Sequence, residues 1–149
     1  MSELDELYQQ IIVEHNRSPR NFKRLDDATR SADGDNPLCG DRITVFVKLD
    51  GDVISDIAFQ GKGCAISKSS ASLMTGAVKG RKVVEAERLF HEFRDMVSGD
   101  HPITDPKSLG KLAAFAGVRR FPSRIKCANL AWHTLHAALA GAAESVTTE

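Results

Sequence analysis

The sequence predicts an α+β fold in which a small three-stranded antiparallel sheet packs against about five helices. In one stretch apolar residues occupy every second position, which is the period of a strand with one buried face. A turn signal and a second β-rich stretch follow at once, so the two strands pair as a hairpin. Most other apolar residues recur at helical spacing, and helices gathered on one antiparallel sheet make an α+β fold.

The hairpin comprises the alternating stretch 43–49 and the returning stretch 53–60. Asp50 and Gly51 are predicted to form its turn, because both residue types tolerate positive φ. A shorter strand is predicted around residues 29–33, in the turn-rich segment before the hairpin. The sheet is therefore expected to be small and antiparallel.

Five segments carry the helical pattern. Ser67 is the predicted N-cap of the second helix, and Gly80 follows its end. The sequence Asp105-Pro106 is predicted to begin the fourth helix, and Gly117 to end it. The apolar residues that define the five helices lie, in chain order, within residues 4–12, 67–79, 83–97, 105–117 and 125–139.

The chain is expected to form a single domain over residues 1–149. Its length of 149 residues suits one domain, and neither a low-complexity linker nor an internal repeat interrupts it. The tail, residues 141–149, is expected to fray.

Composition and charge exclude several classes of protein. Hydrophobic residues make up 42% and charged residues 27%, as in globular proteins. Twenty Lys and Arg balance twenty Asp and Glu, so we expect no nucleic-acid partner. No apolar run approaches the ~20 residues of a membrane-spanning helix, and no membrane partner is expected. The acidic start lacks the features of a secretory signal, which predicts a cytoplasmic location.

Three cysteines, Cys39, Cys64 and Cys127, each lie at the boundary of a predicted element. Cys39 precedes the first hairpin strand and Cys64 follows the second, so the hairpin brings both to one end of the sheet. Cys64 and Cys127 are predicted to lie near helix N-termini, whose positive pole favours thiolates. A cytosolic cysteine is also commonly a small packed hydrophobe, and this alternative stays open.

Asp41 would complete a set of four metal ligands with the three cysteines. Zinc takes thiolate, imidazole and carboxylate ligands, usually four of them. The spacing matches no zinc-finger pattern, and Asp41 can equally be a turn or cap residue. Three basic residues that adjoin the candidate ligands in sequence could offset their negative charge: Arg42, Arg124 and Lys126.

The same residues carry a resemblance to a known family. Residues 36–41 read Asn-Pro-Leu-Cys-Gly-Asp, residues 61–67 read Gly-Lys-Gly-Cys-Ala-Ile-Ser and residues 124–128 read Arg-Ile-Lys-Cys-Ala. In this order they resemble the iron–sulfur assembly proteins of the IscU/NifU N-terminal type. The similarity runs from about residue 8 to residue 139.

Within that family the chain is most similar to the SufU branch. Scaffold members have His immediately before the third cysteine, where this chain has Lys126. They also carry a Leu-Pro-Pro-Val-Lys chaperone-binding stretch, where residues 121–126 here read Phe-Pro-Ser-Arg-Ile-Lys. Residues 98–119 resemble the insertion that is typical of SufU proteins.

The SufU resemblance implies a zinc-dependent sulfurtransferase of the SUF pathway. Such a protein takes persulfide sulfur from the cysteine desulfurase SufS, stimulates that enzyme and passes the sulfur towards the SufBCD complex. Cys39 would be the catalytic sulfur acceptor, since Gly40 leaves its loop conformationally permissive. Arg124 and Lys126 would tune the site or contact the partner. One zinc per chain would be held by Cys39, Asp41, Cys64 and Cys127.

Three other functions remain open from the sequence. A scaffold could bind iron or build a [2Fe–2S] cluster on the same ligands, although Lys126 is a poor substitute for an imidazole ligand. A zinc hydrolase would need a general base, and Asp41 would already be bound to the metal. The third function is a purely structural zinc site. A chain of this size buries enough surface to fold without a stabilising metal ion.

Overall fold

The structure, a computed structural model, describes residues 3–37, 39–98, 109–141 and 146–147. The strands are β1 (Arg30–Asn36), β2 (Asp41–Asp50), β3 (Val53–Lys62) and β4 (Val146–Thr147). The described helices are α1 (Glu3–Arg17), α2 (Ala65–Val78), α3 (Val83–Ser98), a 3₁₀ helix (Gly110–Arg120) and α4 (Pro122–Ala140). The predicted α+β fold, with three antiparallel strands and five helices, is confirmed.

The strands form one sheet in the order β3-β2-β1-β4. β1 to β3 are antiparallel neighbours, and the two residues of β4 pair in parallel with Gly34 and Asp35 of β1. Along β2 the alternate residues Ile43, Val45 and Val47 are buried, as the period of two predicts. The sheet therefore has one face in the core.

Helices cover the buried face of the sheet. α4 packs against β1 and β2, and α2 packs against both α4 and α1. Trp132 of α4 is fully buried and stacks on Phe93 of α3, with ring centroids 4.9 Å apart. The N-terminal half of α4 reaches the end of the sheet where β1 ends and β2 begins, since Cys127 contacts Asn36 and Cys39 there.

The strands depart from the prediction in two places. The turn of the hairpin consists of Gly51 and Asp52, one residue later than predicted, because Asp50 still pairs with Val53. Gly51 has a φ of 62°, which supplies the positive φ that such a turn needs. β1 also extends beyond residue 33 and ends at Asn36, next to the first cysteine.

The 3₁₀ helix does not end at Gly117, as predicted, but at Arg120. Its end is set by Phe121, which is extended (φ −130°, ψ 92°) and precedes Pro122. A residue before proline is sterically disfavoured in the helical region, so the chain must break there. Pro122 then begins α4, where its missing N–H costs nothing.

Some predictions fall outside the described residues. Residues 99–108 of the predicted insertion 98–119, including Asp105-Pro106, are among them, as are residues 142–145 and 148–149 of the tail. The described part of the insertion is mainly the 3₁₀ helix, which packs on α3 and α1. Among the helices described, none combines the length and apolar character needed to cross a membrane.

Candidate metal centre

Cys39 lies in the short loop that joins β1 to β2. Asn36 and Asp41 are paired across these antiparallel strands, so the residues between them form a tight connection. The Cys39 N–H donates to the Asn36 carbonyl at 3.2 Å, and Gly40 takes a φ of 71° that favours glycine. This geometry leaves Cys39 exposed at one end of the sheet, beyond its two inner strands.

Asp41 is buried, with 1% of its surface exposed. Its Oδ1 accepts from the Cys64 N–H at 2.9 Å, and its Oδ2 lies 3.8 Å from Cys64 Sγ. No basic side chain forms an ion pair with it in the part of the chain that the structure describes. A buried carboxylate without a cation is costly, so this environment suits a carboxylate that binds a metal ion.

Cys64 is the N-cap of α2. Its Sγ accepts from the Ser67 N–H at 3.4 Å, and its backbone is extended (φ −68°, ψ 169°). The prediction of Ser67 as the N-cap was therefore wrong, because the cysteine sulfur performs this role three residues earlier. The contact with Asp41 confirms that the hairpin brings the end of β3 to the loop of the first cysteine.

Cys127 is the sixth residue of α4 and is only 3% exposed. The helix begins at Pro122, so Cys127 lies in its second turn, near the N-terminus. Burial raises the pKa of its thiol, and hydrogen bonds with Asp41 and Cys39 raise it further. Without a cation nearby, the Cys127 thiol is therefore protonated at neutral pH.

The fold brings the candidate ligands together from three separate segments. One ligand atom from each of Cys39, Asp41 and Cys127 lies within 4.8 Å of the other two. The two sulfurs of Cys39 and Cys127 are 3.5 Å apart, and Cys64 joins the group through Asp41. Neighbouring ligand atoms of a tetrahedral zinc site are about 3.5–3.8 Å apart. The ligand atoms of Cys39, Asp41 and Cys127 are therefore close enough to hold one metal ion, whereas Cys64 lies outside this group of three and reaches it through its contact with Asp41.

Arg124 and Lys126 lie on the same helix as Cys127. Arg124 is exposed, and its guanidinium lies over the ring of Phe121 at 4.6 Å from the centroid. Lys126 is half-buried. Neither forms an ion pair with a described carboxylate, so both charges stay available to a partner or to the centre.

Two polar residues at the centre were missed by the sequence analysis. Asn36 is fully buried, and its Nδ2–H donates to Cys127 Sγ at 3.8 Å. Ser67 is also fully buried, and its hydroxyl has no hydrogen-bond partner among the described residues. Asn36 lies in a turn motif and Ser67 at a predicted helix start. Each residue type is common in such a place, so nothing in the sequence assigned either side chain to the centre.

Gly63 makes the close approach of Asp41 feasible. A Cβ at this position would lie 2.9 Å from Asp41 Oδ1 and 3.2 Å from Ser67 Oγ. The carboxylate could then no longer reach the Cys64 N–H without a shift of the backbone. A glycine immediately before the second cysteine is therefore part of the architecture of the centre.

Comparisons with known proteins identify the family of the chain. Residues 7–146 match the family model for the NifU-like N-terminal domain. The chain is 45% identical over 137 residues to the zinc-dependent sulfurtransferase SufU of Bacillus subtilis (strain 168), covering 92% of each chain. It is 42% identical over 139 residues to the iron–sulfur cluster assembly scaffold protein IscU of Streptococcus pyogenes serotype M1, covering 93% of this chain and 86% of the relative.

A solved structure shows the same fold. The crystal structure of a SufU from Fervidobacterium islandicum AW-1, named as an iron–sulfur cluster assembly scaffold protein for the SUF system, superposes with a TM-score of 0.83 at 32% identity. The match covers 90% of this chain and 97% of that one. The chain therefore belongs to the NifU-like N-terminal domain family, the iron–sulfur cluster assembly proteins that include SufU and IscU.

Proposed function

We propose that the protein accepts sulfur on Cys39 at a zinc centre and passes it on for iron–sulfur cluster assembly. The convergence of one ligand atom each from Cys39, Asp41 and Cys127 within 4.8 Å carries this proposal. Cys64 is the fourth proposed ligand, since it contacts Asp41 at 3.8 Å. The similarity to a relative named as a zinc-dependent sulfurtransferase supports the choice of metal and reaction.

Cys39 is the best candidate among the three thiols for the sulfur acceptor. The sulfur of Cys64 is held by the Ser67 N–H at the start of α2, and that of Cys127 by the buried Asn36 amide. Among the described contacts, no N–H group donates to the Cys39 sulfur. Cys39 and Cys64 are both exposed, whereas Cys127 is buried, so the hydrogen bond from the Ser67 N–H is what separates Cys64 from Cys39. Cys39 can therefore meet a partner's persulfide with the least rearrangement.

The reaction moves one sulfur atom without net oxidation or reduction. A metal ion held by these ligands favours the deprotonated form of the sulfurs at neutral pH. The Cys39 thiolate attacks the outer sulfur of a persulfide, R–S–SH. A bond forms between Cys39 Sγ and that sulfur while the S–S bond of the donor breaks. The donor cysteine leaves as a thiolate, and Cys39 carries the persulfide.

The proposed donor is a SufS-type cysteine desulfurase, and the proposed recipient is the SufBCD complex. Phe121 is 48% exposed beside Arg124, so an aromatic and a cationic side chain flank the start of the helix that carries Cys127. Arg124 and Lys126 are proposed to contact the desulfurase or to tune the charge of the centre. The proposed location is the cytoplasm, where thiols remain reduced.

A second candidate function is a scaffold for a [2Fe–2S] cluster. The 42% identity to a relative named as a scaffold favours it, and cysteine thiolates are the usual cluster ligands. Lys126 counts against it, because its ammonium cannot replace an imidazole ligand next to Cys127. Iron would then occupy the ligands that we assign to zinc.

Metal analysis combined with desulfurase kinetics separates the two functions. The purified protein should contain about one zinc per chain and should accelerate cysteine turnover by a SufS-type desulfurase. Cys39→Ser should lose the acceleration, and Ser55→Ala provides a control at an exposed hydroxyl remote from the ligands. A chain that gives no acceleration but binds iron and acquires a cluster absorption spectrum would be a scaffold, and the proposal would be wrong.

A further inference from the structure

We propose that a second site, between α1, α2 and the 3₁₀ helix, binds a small molecule with an anionic oxygen group and an apolar chain. The site is a cavity of about 460 Å³, which is within the usual range for small-molecule pockets. It goes beyond the proposed sulfur transfer. Its described lining includes cationic residues, here called the cationic side, and apolar residues, here called the apolar side.

The cationic side carries Arg20, Arg81 and Lys111. No carboxylate is found among the described lining residues. Arg20 pairs with Glu14 and Arg81 with Glu85, but both glutamates lie outside this lining. These ion pairs are exposed and therefore weak, so an anionic ligand can compete for the two guanidinium groups. The described part of the lining thus favours an anionic ligand over a cationic one.

His15 provides a hydrogen-bond donor at the same cavity. Ser72 is fully buried, and its Oγ accepts from the Arg20 N–H at 2.8 Å. We assign the Ser72 hydroxyl as the donor to His15 Nδ1, which lies 2.7 Å away. Burial and the nearby Arg20 charge lower the pKa of His15, so the imidazole is neutral. A neutral imidazole whose Nδ1 accepts carries its proton on Nε2.

The Nε2–H of His15 is suited to bind a ligand oxygen. His15 is 7% exposed and lines the cavity, and no acceptor for Nε2 is found among the described residues. Nε2 is not one of the buried polar atoms that lack a partner among the described residues, so it reaches the open space of the cavity, where an oxygen of a bound anion can accept from it. One neutral donor with three cations is a set that suits a carboxylate or a phosphate.

The apolar side explains why the ligand needs more than its charged group. Inorganic phosphate alone would leave these walls in contact with water, whereas a ligand with a hydrocarbon chain would cover them. A carboxylate with a chain of several carbons fits both sides of the cavity. The apolar lining residues are Leu73, Ala77, Leu89, Leu109 and Leu112.

The cavity is separate from the metal centre. Cys64 caps the N-terminus of α2, whereas Ser72 and Gly76 line the cavity. At 1.5 Å per residue, they lie roughly 12 and 18 Å further along the helix axis. A ligand in the cavity would therefore leave the four metal ligands uncovered.

Isothermal titration calorimetry of the full chain, with its metal bound, tests the proposal. Octanoate combines a carboxylate with an apolar chain and is expected to bind in a saturable manner at one site. Octylamine has a similar chain with the opposite charge and is expected not to bind. Inorganic phosphate, which lacks the chain, is expected to bind more weakly than octanoate.

Two pairs of variants locate the binding. Lys111→Gln should weaken octanoate binding about two- to fivefold, as expected for one exposed charge contact, whereas Lys23→Gln outside the cavity should have no effect. Gly76→Leu adds a side chain at the cavity where a Cβ meets nothing within 4 Å, so it should abolish binding without disturbing the fold. Gly117→Leu, equally unobstructed but outside the cavity, is the control.

Three results would overturn the proposal. The first is the absence of saturable octanoate binding to the wild-type protein. The second is a Gly76→Leu variant that binds octanoate as tightly as the wild type. Its urea midpoint of unfolding must equal that of the wild type, which shows that the variant is folded. The third is octylamine binding as tightly as octanoate, which would show an apolar groove without selection for charge.

Discussion

Cys39 and Cys127 lie 3.5 Å apart but have different surroundings. Cys127 is buried, receives the Asn36 amide and has a raised pKa because of its burial. Cys39 is exposed on a loop that contains Gly40. At the residue scale, this contrast is the basis for assigning structural ligation to one thiol and sulfur acceptance to the other.

Alkylation of the metal-free protein should distinguish these environments. Iodoacetamide at pH 8 is expected to modify Cys39 and Cys64 and to leave Cys127 largely unmodified, because only the thiolate reacts and Cys127 is both buried and protonated. Peptide mass spectrometry at successive times gives the three rates, and alkylation in urea provides the control for intrinsic reactivity. Equal rates in the folded protein would contradict the assignment.

Asp41→Ala should mainly weaken metal binding. Loss of a residue that only hydrogen-bonds to a metal ligand typically costs about 10–100-fold in metal affinity. Removal of a ligand itself is therefore expected to reduce zinc affinity by at least that factor. Competition with a chromogenic chelator measures this affinity. Asp33→Ala is the matched control, because Asp33 is an exposed carboxylate on β1 that binds Thr44. Equal zinc affinity of Asp41→Ala and wild type would exclude Asp41 as a ligand.

The candidate ligands could be predicted from sequence, but their surroundings could not. The three cysteines and Asp41 stood out by their chemistry and their places at element boundaries. The burial of Cys127 depends on how α4 packs across the sheet, which local sequence does not determine. The buried Asn36 and Ser67 side chains are likewise placed by tertiary contacts with residues far away in the chain.

At the scale of elements, the centre depends on two close approaches of backbone. β1 lies against α4 at Gly34, where an added Cβ would overlap Thr134 Oγ1. β3 lies against β2 at Gly61, where an added Cβ would overlap the Arg42 carbonyl oxygen, and its φ is 140°. The first obstacle is a side chain, whereas the second is backbone.

Alanine at the two glycines should therefore have unequal effects. Gly34→Ala is expected to lower the free energy of unfolding by about 1–3 kcal/mol, as for other overpacked sites, and Gly61→Ala by more, since backbone cannot move aside. Urea unfolding measures both. Thr134→Ala in the Gly34→Ala background should restore much of the loss because it removes the overlapping Oγ1. The account of these contacts fails if Gly61→Ala is the milder change.

Periodicity predicted which elements form, whereas their ends followed from local detail. The alternation of apolar residues in β2 was sufficient to predict a strand, and the apolar stripe of α3 was sufficient to predict a helix after the hairpin. The start of α2 depended on a cysteine sulfur that acts as a cap, which residue preferences do not suggest. The 3₁₀ helix continued through Gly117 because glycine also adopts helical angles, and the sterics of Pro122 ended it.

At the scale of the whole molecule, the candidate metal centre joins three distant segments. They are the β1–β2 loop, the start of α2 and the second turn of α4, so the ligands converge only in the folded chain. Metal binding should therefore stabilise the fold. The same tertiary packing buries His15 against Ser72, on the side of α2 that faces α1.

Acidification should destabilise the protein partly through His15. Burial lowers the pKa of His15 in the folded state, so below about pH 6.5 the unfolded chain binds the proton more readily. Stability from this group is complete above pH 6.5 and falls towards lower pH, by up to about 1.4 kcal/mol per pH unit. Urea unfolding at pH 7 and pH 5 should show a smaller difference for His15→Asn than for wild type. His91→Asn, at an exposed site, is the control, and identical differences in all three proteins would refute the role of His15.

The mass of each cysteine-containing peptide, after one turnover with a SufS-type desulfurase and cysteine, tests the central claim most directly. We expect one additional sulfur on the Cys39 peptide and none on the peptides of Cys64 and Cys127. The zinc-loaded Cys39→Ser variant should acquire no sulfur. Sulfur on Cys64 or Cys127 in the wild type, or undiminished sulfur uptake by Cys39→Ser, would contradict the assignment of Cys39 as the acceptor.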